Sequence, residues 1–464
     1  MSEEVLEVKH SKFELVSYGF GNFFNEFFTL AFGAFAFFFY ESEIGLNVWL
    51  VGLGFIIFAL WNSINDPLVG YLTNRPFKFT KKWGRRFPWI IVGGIPYTLS
   101  YILVFMPPSL NTTSDAWIIF GWLVFSTCLF DFFASIFWVN FSSLFADKFR
   151  SVEERRKATG LQIPLGIIGV ALGAIIPPLF INFGDLHSYI VQAYVVVIVT
   201  SIAFVCAIPG VRDDKQAVKR YLEQYEKKPE KENFFTLLKQ LVKQRSFITF
   251  IIIYLAYQTV IVSMTASIPY VVRYSLGMDP RATIPIFAGF LTGALISVPF
   301  WVKYAHKAND NRKVILTAGV LLTILTAPLI IIREYTIMII LFVIWGLALG
   351  GFWAMIAPAL ADVIDDSVVR TGKREEGVIV GVQRLFARIA IVIQALTFAI
   401  AHTLTGFVEG AATQSESAII GIQIHFALVP VIIMLIGCLI YWKYCNLTSE
   451  LVHANQEKVK ELGL

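Results

Sequence analysis

The sequence predicts an all-α membrane protein of twelve transmembrane helices arranged in two six-helix halves. Three observations carry this prediction. Of 464 residues, 56% are hydrophobic and only 15% are charged, against about 25% charged in soluble domains. Twelve apolar runs follow one another, each long enough to cross a hydrocarbon core of ~30 Å. The segments between them alternate between rich and poor in Lys and Arg, the mark of a chain threaded repeatedly through a bilayer.

The runs fall near 14–40, 47–72, 87–107, 116–145, 159–181, 190–209, 247–272, 282–302, 314–332, 336–363, 378–405 and 419–442. They lack the ten-residue alternation of barrel strands. A lipid-exposed backbone must satisfy its own hydrogen bonds, so they are expected as helices. Residues 73–86, 146–158, 210–246, 303–313 and 364–377 hold six, five, ten, four and three Lys or Arg, 28 together, whereas the opposite connections hold Arg273, Arg281 and Arg333. This bias places both termini and the central connection in the cytoplasm, with the cell membrane as the expected location. The net charge of +5 is thereby a topology signal rather than a nucleic-acid footprint.

The expected organisation is a cytoplasmic N-terminus over 1–13, a six-helix half over 14–209, a linker over 210–246, a second half over 247–443 and a cytoplasmic tail over 444–464. The N-terminus is acidic and polar, without the layout of a signal peptide. The linker carries Phe234, Phe235, Leu237, Leu238 and Leu241 at helical spacing, which predicts a short surface helix. Cys128, Cys206, Cys438 and Cys445 form no C-x-x-C pair, which argues against a zinc site or disulfide framework. No G-x-x-x-x-G-K-[ST] loop is present, which argues against ATP-driven pumping. The chain reads as neither an enzyme nor the holder of a cofactor, and no obligatory protein partner is inferred.

The halves repeat weakly. Trp138 precedes Asp147 by nine residues in the fourth run, and Trp353 precedes Asp362 by nine in the tenth. Arg85-Arg86 opens the third run as Arg312-Lys313 opens the ninth. Paired six-helix repeats place a solute site near the midplane.

Few polar groups lie at membrane depth, and each is costly there: an ionised Asp at the helix centre costs about 3 kcal/mol. They are Asn22, Asn25 and Glu26 in the first run, Asn62, Asn65 and Asp66 in the second, Asp131 and Asn140 in the fourth, and Arg384 and Arg388 in the eleventh. Asn62 and Asp66 are four apart and share a helix face, as do Asn22 and Glu26, and Asp131 shares another with Ala134 and Trp138. Converging faces would gather two or three carboxylates and an amide oxygen. Such a cluster holds a sodium ion, or takes up a proton through like-charge crowding. The bland readings are that Glu26 or Asp131 neutralises Arg388 or Arg384, that Trp138 packs rather than stacks on a ligand, and that Asn140 and Gln162 bond neighbouring helices. His402 and His425 read as satisfied polar groups near helix ends. The Phe27-Phe28 and Phe37-Phe38-Phe39 clusters read as packing or lipid-facing surface. The arginines of the second connection either serve topology alone or pair with acids such as Asp147 or Asp362.

Ser17–Glu26 (SYGFGNFFNE), Trp61–Tyr71 (WNSINDPLVGY) with the following GRRFPWI, the Phe137-Trp138 helix, and ADVIDD followed by GVQRLFAR resemble the glycoside–pentoside–hexuronide:cation symporter family. The resemblance covers nearly the whole chain and implies a major facilitator fold and cation-coupled symport. It implies that Asp66 is the central cation aspartate and that Asn62 stands where a second cation-site acid is found. Asp131 stands at a cation-site hydroxyl, and Ala134 where an acid contacts both sugar and cation. It likewise implies solute roles for Glu26, Trp138 and Arg388, and places Gln162 where a sugar-binding arginine is usual. The expected function is alternating-access symport of Na+ or H+ with a small polar solute, a glycoside or other sugar. The cation is expected at Asp66, Asp131, Asn62 and Asn65, and the solute at Glu26, Asn25, Trp138, Gln162, Arg388 and Arg384, with membrane lipid around the protein. The alternatives are cation-coupled transport of a lysophospholipid or other amphipathic lipid, and a membrane sensor or receptor that does not transport.

Overall fold

The computed structural model describes residues 10–75, 77–214, 218, 222, 239, 241–372 and 376–461. Most of the linker, including the expected surface helix, lies outside the described residues. The chain forms two compact units, Met1–Glu230 and Lys231–Leu464.

The first unit holds six long helices: α1 (Lys12–Phe38, continued by a π turn Phe39–Glu43), α2 (Val48–Thr73), α3 (Phe87–Val104), α4 (Ala116–Lys148), α5 (Val152–Phe180) and α6 (Leu186–Ala207). The second holds α7 (Arg245–Tyr270, continued by a π turn Val271–Ser275), α8 (Thr283–Ala308), α9 (Asn311–Thr326), α10 (Tyr335–Thr371), α11 (Glu376–Thr405) and α12 (Glu416–Tyr444), followed by α13 (Ser449–Glu461). Among the described residues, α1 to α12 are long and apolar enough to cross a membrane.

Two helix ends depart from the apolar runs. α5 starts at Val152 rather than near 159, because Ser151 caps it by accepting from Glu154 N. α10 continues to Thr371, well past 363, and closes on Gly372 in the left-handed region. Hydropathy marks the membrane and capping marks the helix. The tail, expected only as a tail, contains α13. That helix docks through Asn455 Nδ2 to Asp366 Oδ1 at 3.3 Å and His453 Nε2 to Asn309 Nδ2 at 2.8 Å.

The aromatic load packs the interior. Phe24 lies against Phe137, Phe204 and Tyr97 at ring separations of 4.8, 5.2 and 5.4 Å. Phe27, Phe28, Phe37, Phe38 and Phe39 are all buried, so those clusters are packing surface. Close helix pairs are built on glycine. A Cβ on Gly169 or Gly173 of α5 would strike the backbone of Phe23 or Phe27 on α1, the small-residue contact of membrane helices.

Candidate functional site

The site grows from one helix pair. α2 and α4 lie side by side in register: Gly54 faces Leu123, Asn62 bonds Asp131, Ser135 bonds Asp66, and Gly70 faces Val139. A spacing of four on both helices thus delivers two polar layers one turn apart. In the first layer, Asn62 Nδ2 donates a short hydrogen bond to Asp131 Oδ1. Asn65 Nδ2 donates to Asp131 Oδ2 and to the Asp131 carbonyl, both at 3.2 Å. In the second, Ser135 Oγ donates to Asp66 Oδ1 at 2.5 Å. Asn62, Asn65, Asp131 and Ser135 are buried, with Asn65 at 0% exposure, while Asp66 is half-buried.

The amide orientation has a consequence. With both Nδ2 groups turned to Asp131, Asn62 Oδ1 and Asn65 Oδ1 are buried without a hydrogen-bond partner. A buried acceptor left unmatched costs about 1–3 kcal/mol, and such orphans call for an explanation. Two neutral oxygens, two carboxylates and a hydroxyl thus lie on two adjacent turns, and these are oxygen types that a hard cation takes.

The three-carboxylate version of the cluster is not formed. Among the described residues, no group of three or more His, Cys, Asp or Glu side chains is placed to hold a metal ion. Glu26 instead belongs with its neighbours on the α5 side of α1. Asn25 Nδ2 donates to Glu26 Oε1 at 3.4 Å, and a Cβ on Gly166 of α5 would lie 3.6 Å from Glu26 Cγ. Asn22 Nδ2 donates to the Gln162 carbonyl at 3.2 Å, so Gln162 meets α1 through its backbone. Trp138 is half-buried one turn beyond Ser135, its ring tilted against Phe141 at 5.7 Å. In the second unit, Arg384 is exposed and Arg388 half-buried. They are four residues apart on one face of α11, and Tyr254 of α7 lies in the field of both. Ser135 was missed by sequence reasoning. Its signal was the spacing of four from Asp131, but a lone serine in a membrane helix usually bonds its own backbone.

The other polar groups singled out in the sequence have hydrogen-bond or ion-pair partners. Asn140 accepts from Arg86 Nη1 at 3.1 Å and donates to the Ile136 carbonyl at 2.8 Å. Arg85 and Arg86 both approach Asp147 at 3.5 Å, and both donate to Asn74 Oδ1, at 2.7 and 2.8 Å. The pairing reading of that connection therefore holds for Asp147. Asp362 accepts from Asn311 Nδ2 at 2.8 Å. Burial, with Arg85 alongside, lowers the Arg86 guanidinium to about 10, so it is charged at neutral pH. His402 and His425 meet at 2.9 Å between Nε2 atoms, and His425 Nδ1 lies 2.7 Å from Ser267 Oγ. Ser267 donates its hydroxyl proton to the Ser263 carbonyl. His425 Nδ1–H must then donate to Ser267, and the two Nε2 atoms share the hydrogen bond between the rings.

Residues 17–448 match the family model for MFS/sugar transport proteins. The chain belongs to this family. It is 22% identical over 421 residues to the sodium-dependent lysophosphatidylcholine symporter 1 of Xenopus tropicalis, covering 83% of this chain and 78% of the relative. The inner membrane symporter YicJ of Escherichia coli is 29% identical over 111 residues, covering 24% of this chain and 23% of the relative. Among solved structures, the xylose transporter XylE from E. coli matches with a TM-score of 0.62 and 13% identity, over 95% of this chain and 98% of that one. The nucleoside transporter NupG matches at 0.65 and 10%, over 93% and 99%. These two likenesses are likenesses of fold. The protein is therefore a multi-pass membrane protein of the major facilitator class, and family and fold are those of transporters.

Proposed function

We propose that the protein is a sodium-coupled symporter that binds the ion between α2 and α4 and carries an amphiphilic solute with it. The observation that supports sodium over a proton is the pair of orphaned amide oxygens, Asn62 Oδ1 and Asn65 Oδ1. A proton would occupy one carboxylate and leave them unmatched; a metal cation takes up neutral and charged oxygens together. In this reading the ion contacts Asp66, Asp131, Asn62, Asn65 and Ser135. Both termini face the cytoplasm at the basic end, in the cell membrane, and the two compact units act as the rocking halves. Glu26, Asn25, Trp138, Gln162, Arg388 and Arg384 are the residues proposed to contact the solute.

The ion supplies enough work. One charge crossing ~100 mV contributes ~2.3 kcal/mol, and a tenfold gradient adds ~1.4 kcal/mol. Together they sustain a solute ratio of several hundred. Coupling is reciprocal, so solute tightens sodium binding by the factor that sodium tightens solute binding.

The amphiphile is favoured by breadth of likeness: the relatives aligned over 83% of the chain include lysophosphatidylcholine symporters from frog, zebrafish and human. The second reading, a glycoside, is favoured by the acid–amide group of Glu26, Asn25 and Asn22, which suits hydroxyls. The test is concentrative uptake into proteoliposomes. Lysophosphatidylcholine and a panel of glycosides would be offered under an imposed sodium or proton gradient. Sodium-driven accumulation of the lysolipid is expected. Accumulation of a glycoside alone would select the second reading, proton-driven uptake would overturn the ion assignment, and no uptake of any solute would favour a sensor.

A further inference from the structure

The cation site uses α2 and α4, and the acid–amide group uses α1, leaving without a role an open groove on α5. It lies on the first turns of α5 and has a volume of about 700 Å³, lined by Arg155, Arg156, Thr159, Gly160, Ile163 and Pro164. These residues form two adjacent stripes at spacings of four, 155–159–163 and 156–160–164, so a single helix face makes the lining.

The chemistry is graded along that face. Two guanidiniums stand at its start, each able to grip phosphate oxygens through a fork of N–H donors. The Phe149 carbonyl holds Arg155 Nε at 2.8 Å, which leaves the terminal nitrogens of that fork for a ligand. One turn on, Gly160 keeps the groove open, since a Cβ there would meet nothing within 4 Å. Pro164 has no N–H, so the Gly160 carbonyl has lost its helical donor and stands as an acceptor. Ile163 is 53% exposed and, with Pro164, ends the groove in apolar surface. Arginines to apolar end is eight residues, about 12 Å of helix.

We propose that this groove binds a phosphate-bearing single-chain amphiphile: the phosphate on Arg155 and Arg156, a free hydroxyl on the Gly160 carbonyl, and the start of the chain along Ile163 and Pro164. The assignment rests on the amphiphile reading above and gives that solute a station at the basic end of the first half. Bare phosphate would use only the arginines, and a monoacylglycerol would leave them without an anion.

The test is photo-crosslinking of the full-length protein in nanodiscs with lysophosphatidylcholine that carries a diazirine near the head of its acyl chain. Labelled peptides are read by mass spectrometry, without any ion gradient. Labelling should map to the Ile163–Pro164 turn. Arg155→Gln with Arg156→Gln should reduce it at least tenfold, and so should Gly160→Leu, which fills the groove with a good helix former and keeps both charges. A diazirine monoacylglycerol should label at least tenfold less, and inorganic phosphate at millimolar concentration should not compete. Unchanged labelling in these variants, labelling elsewhere, or equal labelling by the monoacylglycerol would overturn the proposal. Competition by inorganic phosphate would reassign the groove to free anions. If labelling maps as expected while wild-type protein accumulates no lysolipid, the symport reading fails and the groove stands. If uptake is normal and labelling is absent, the groove fails and symport stands.

Discussion

The same helix crossing is built in opposite ways in the two halves. Counting back seven residues from the tryptophan gives Asp131 in α4 and Gly346 in α10; counting back three gives Ser135 and Gly350. In the first half those positions meet α2 through Asn62 and Asp66. In the second they meet α8 through backbone: a Cβ on Gly346 would strike Phe290 O and lie 2.9 Å from Ala294 N, and one on Gly350 would strike Ser297 and Ala294. One crossing is held by hydrogen bonds between polar side chains. The other is held by main-chain contact that any added atom disrupts. A repeat can thus keep its helices and place its chemistry in one copy only.

The largest effect that tests this contrast is in transport. Asp66→Asn and Asp131→Asn should each abolish sodium-driven accumulation, dropping the solute ratio from the hundreds to about one, while shifting the melting temperature by only a few degrees. In the proposed site the carboxylates hold the ion, and their amide replacements still hydrogen-bond. Concentrative uptake at wild-type level in Asp66→Asn would remove the central assignment.

At the glycine crossing the effect should invert. Gly346→Leu forces a side chain into the α8 backbone, and overpacking costs about 1–3 kcal/mol, at times more. The variant should lose most of its folded, monodisperse yield on size-exclusion chromatography. Gly160→Leu, where the added atoms meet open space, should keep it. Equal yields would show that the backbone contact is not what holds α8 to α10.

A smaller effect is expected at Asn62. Asn62→Asp sets a carboxylate against Asp131, where its amide now donates. Like-charge crowding raises one of the two carboxylates toward neutral pH. Transport by this variant should gain a several-fold dependence on pH between about 5.5 and 7.5 that the wild type lacks. A flat profile would mean that the two side chains separate when both are charged.

The fold was legible in the sequence because membrane helices announce themselves by length and apolarity, and because the basic connections fall on alternate turns of the chain. Asp66, Asp131 and Asn62 were legible because a polar group at membrane depth is costly and therefore conspicuous. Three things were not. Ser135 carries no such cost, so nothing singled it out. Glu26 shares a spacing with Asn22, but spacing along one helix does not say which neighbour that face meets, and it meets α5. The docking of α13 depends on Asp366 and Asn309, partners far away in sequence, which no local pattern reveals.

The smallest effect lies at the basic ends, where each half is stapled by a terminal segment of its own. The second half uses α13 on Asp366. The first uses His10, whose Nδ1 lies 3.0 Å from Glu154 Oε1 and whose Nε2 lies 3.1 Å from Asp214 Oδ2, tying the start of the chain to α5 and to the segment after α6. Burial opposes the imidazolium, but the hydrogen bonds to Asp214 and Glu154 and the charge of Asp214 outweigh it, and the pKa is raised above 6.5. A group whose pKa is raised on folding stabilises fully below its unfolded value, and that contribution is lost as pH rises through the folded one. Melting temperature should therefore fall by a few degrees as pH rises from about 6 through the raised pKa, and His10→Gln should flatten that fall. The second-half staple supplies the control. Asn455→Ala breaks the contact to Asp366 and should lower the melting temperature by a similar amount at every pH in this range. If His10→Gln kept the slope, the pH dependence would belong to other groups, and the His10 contact would be plain packing.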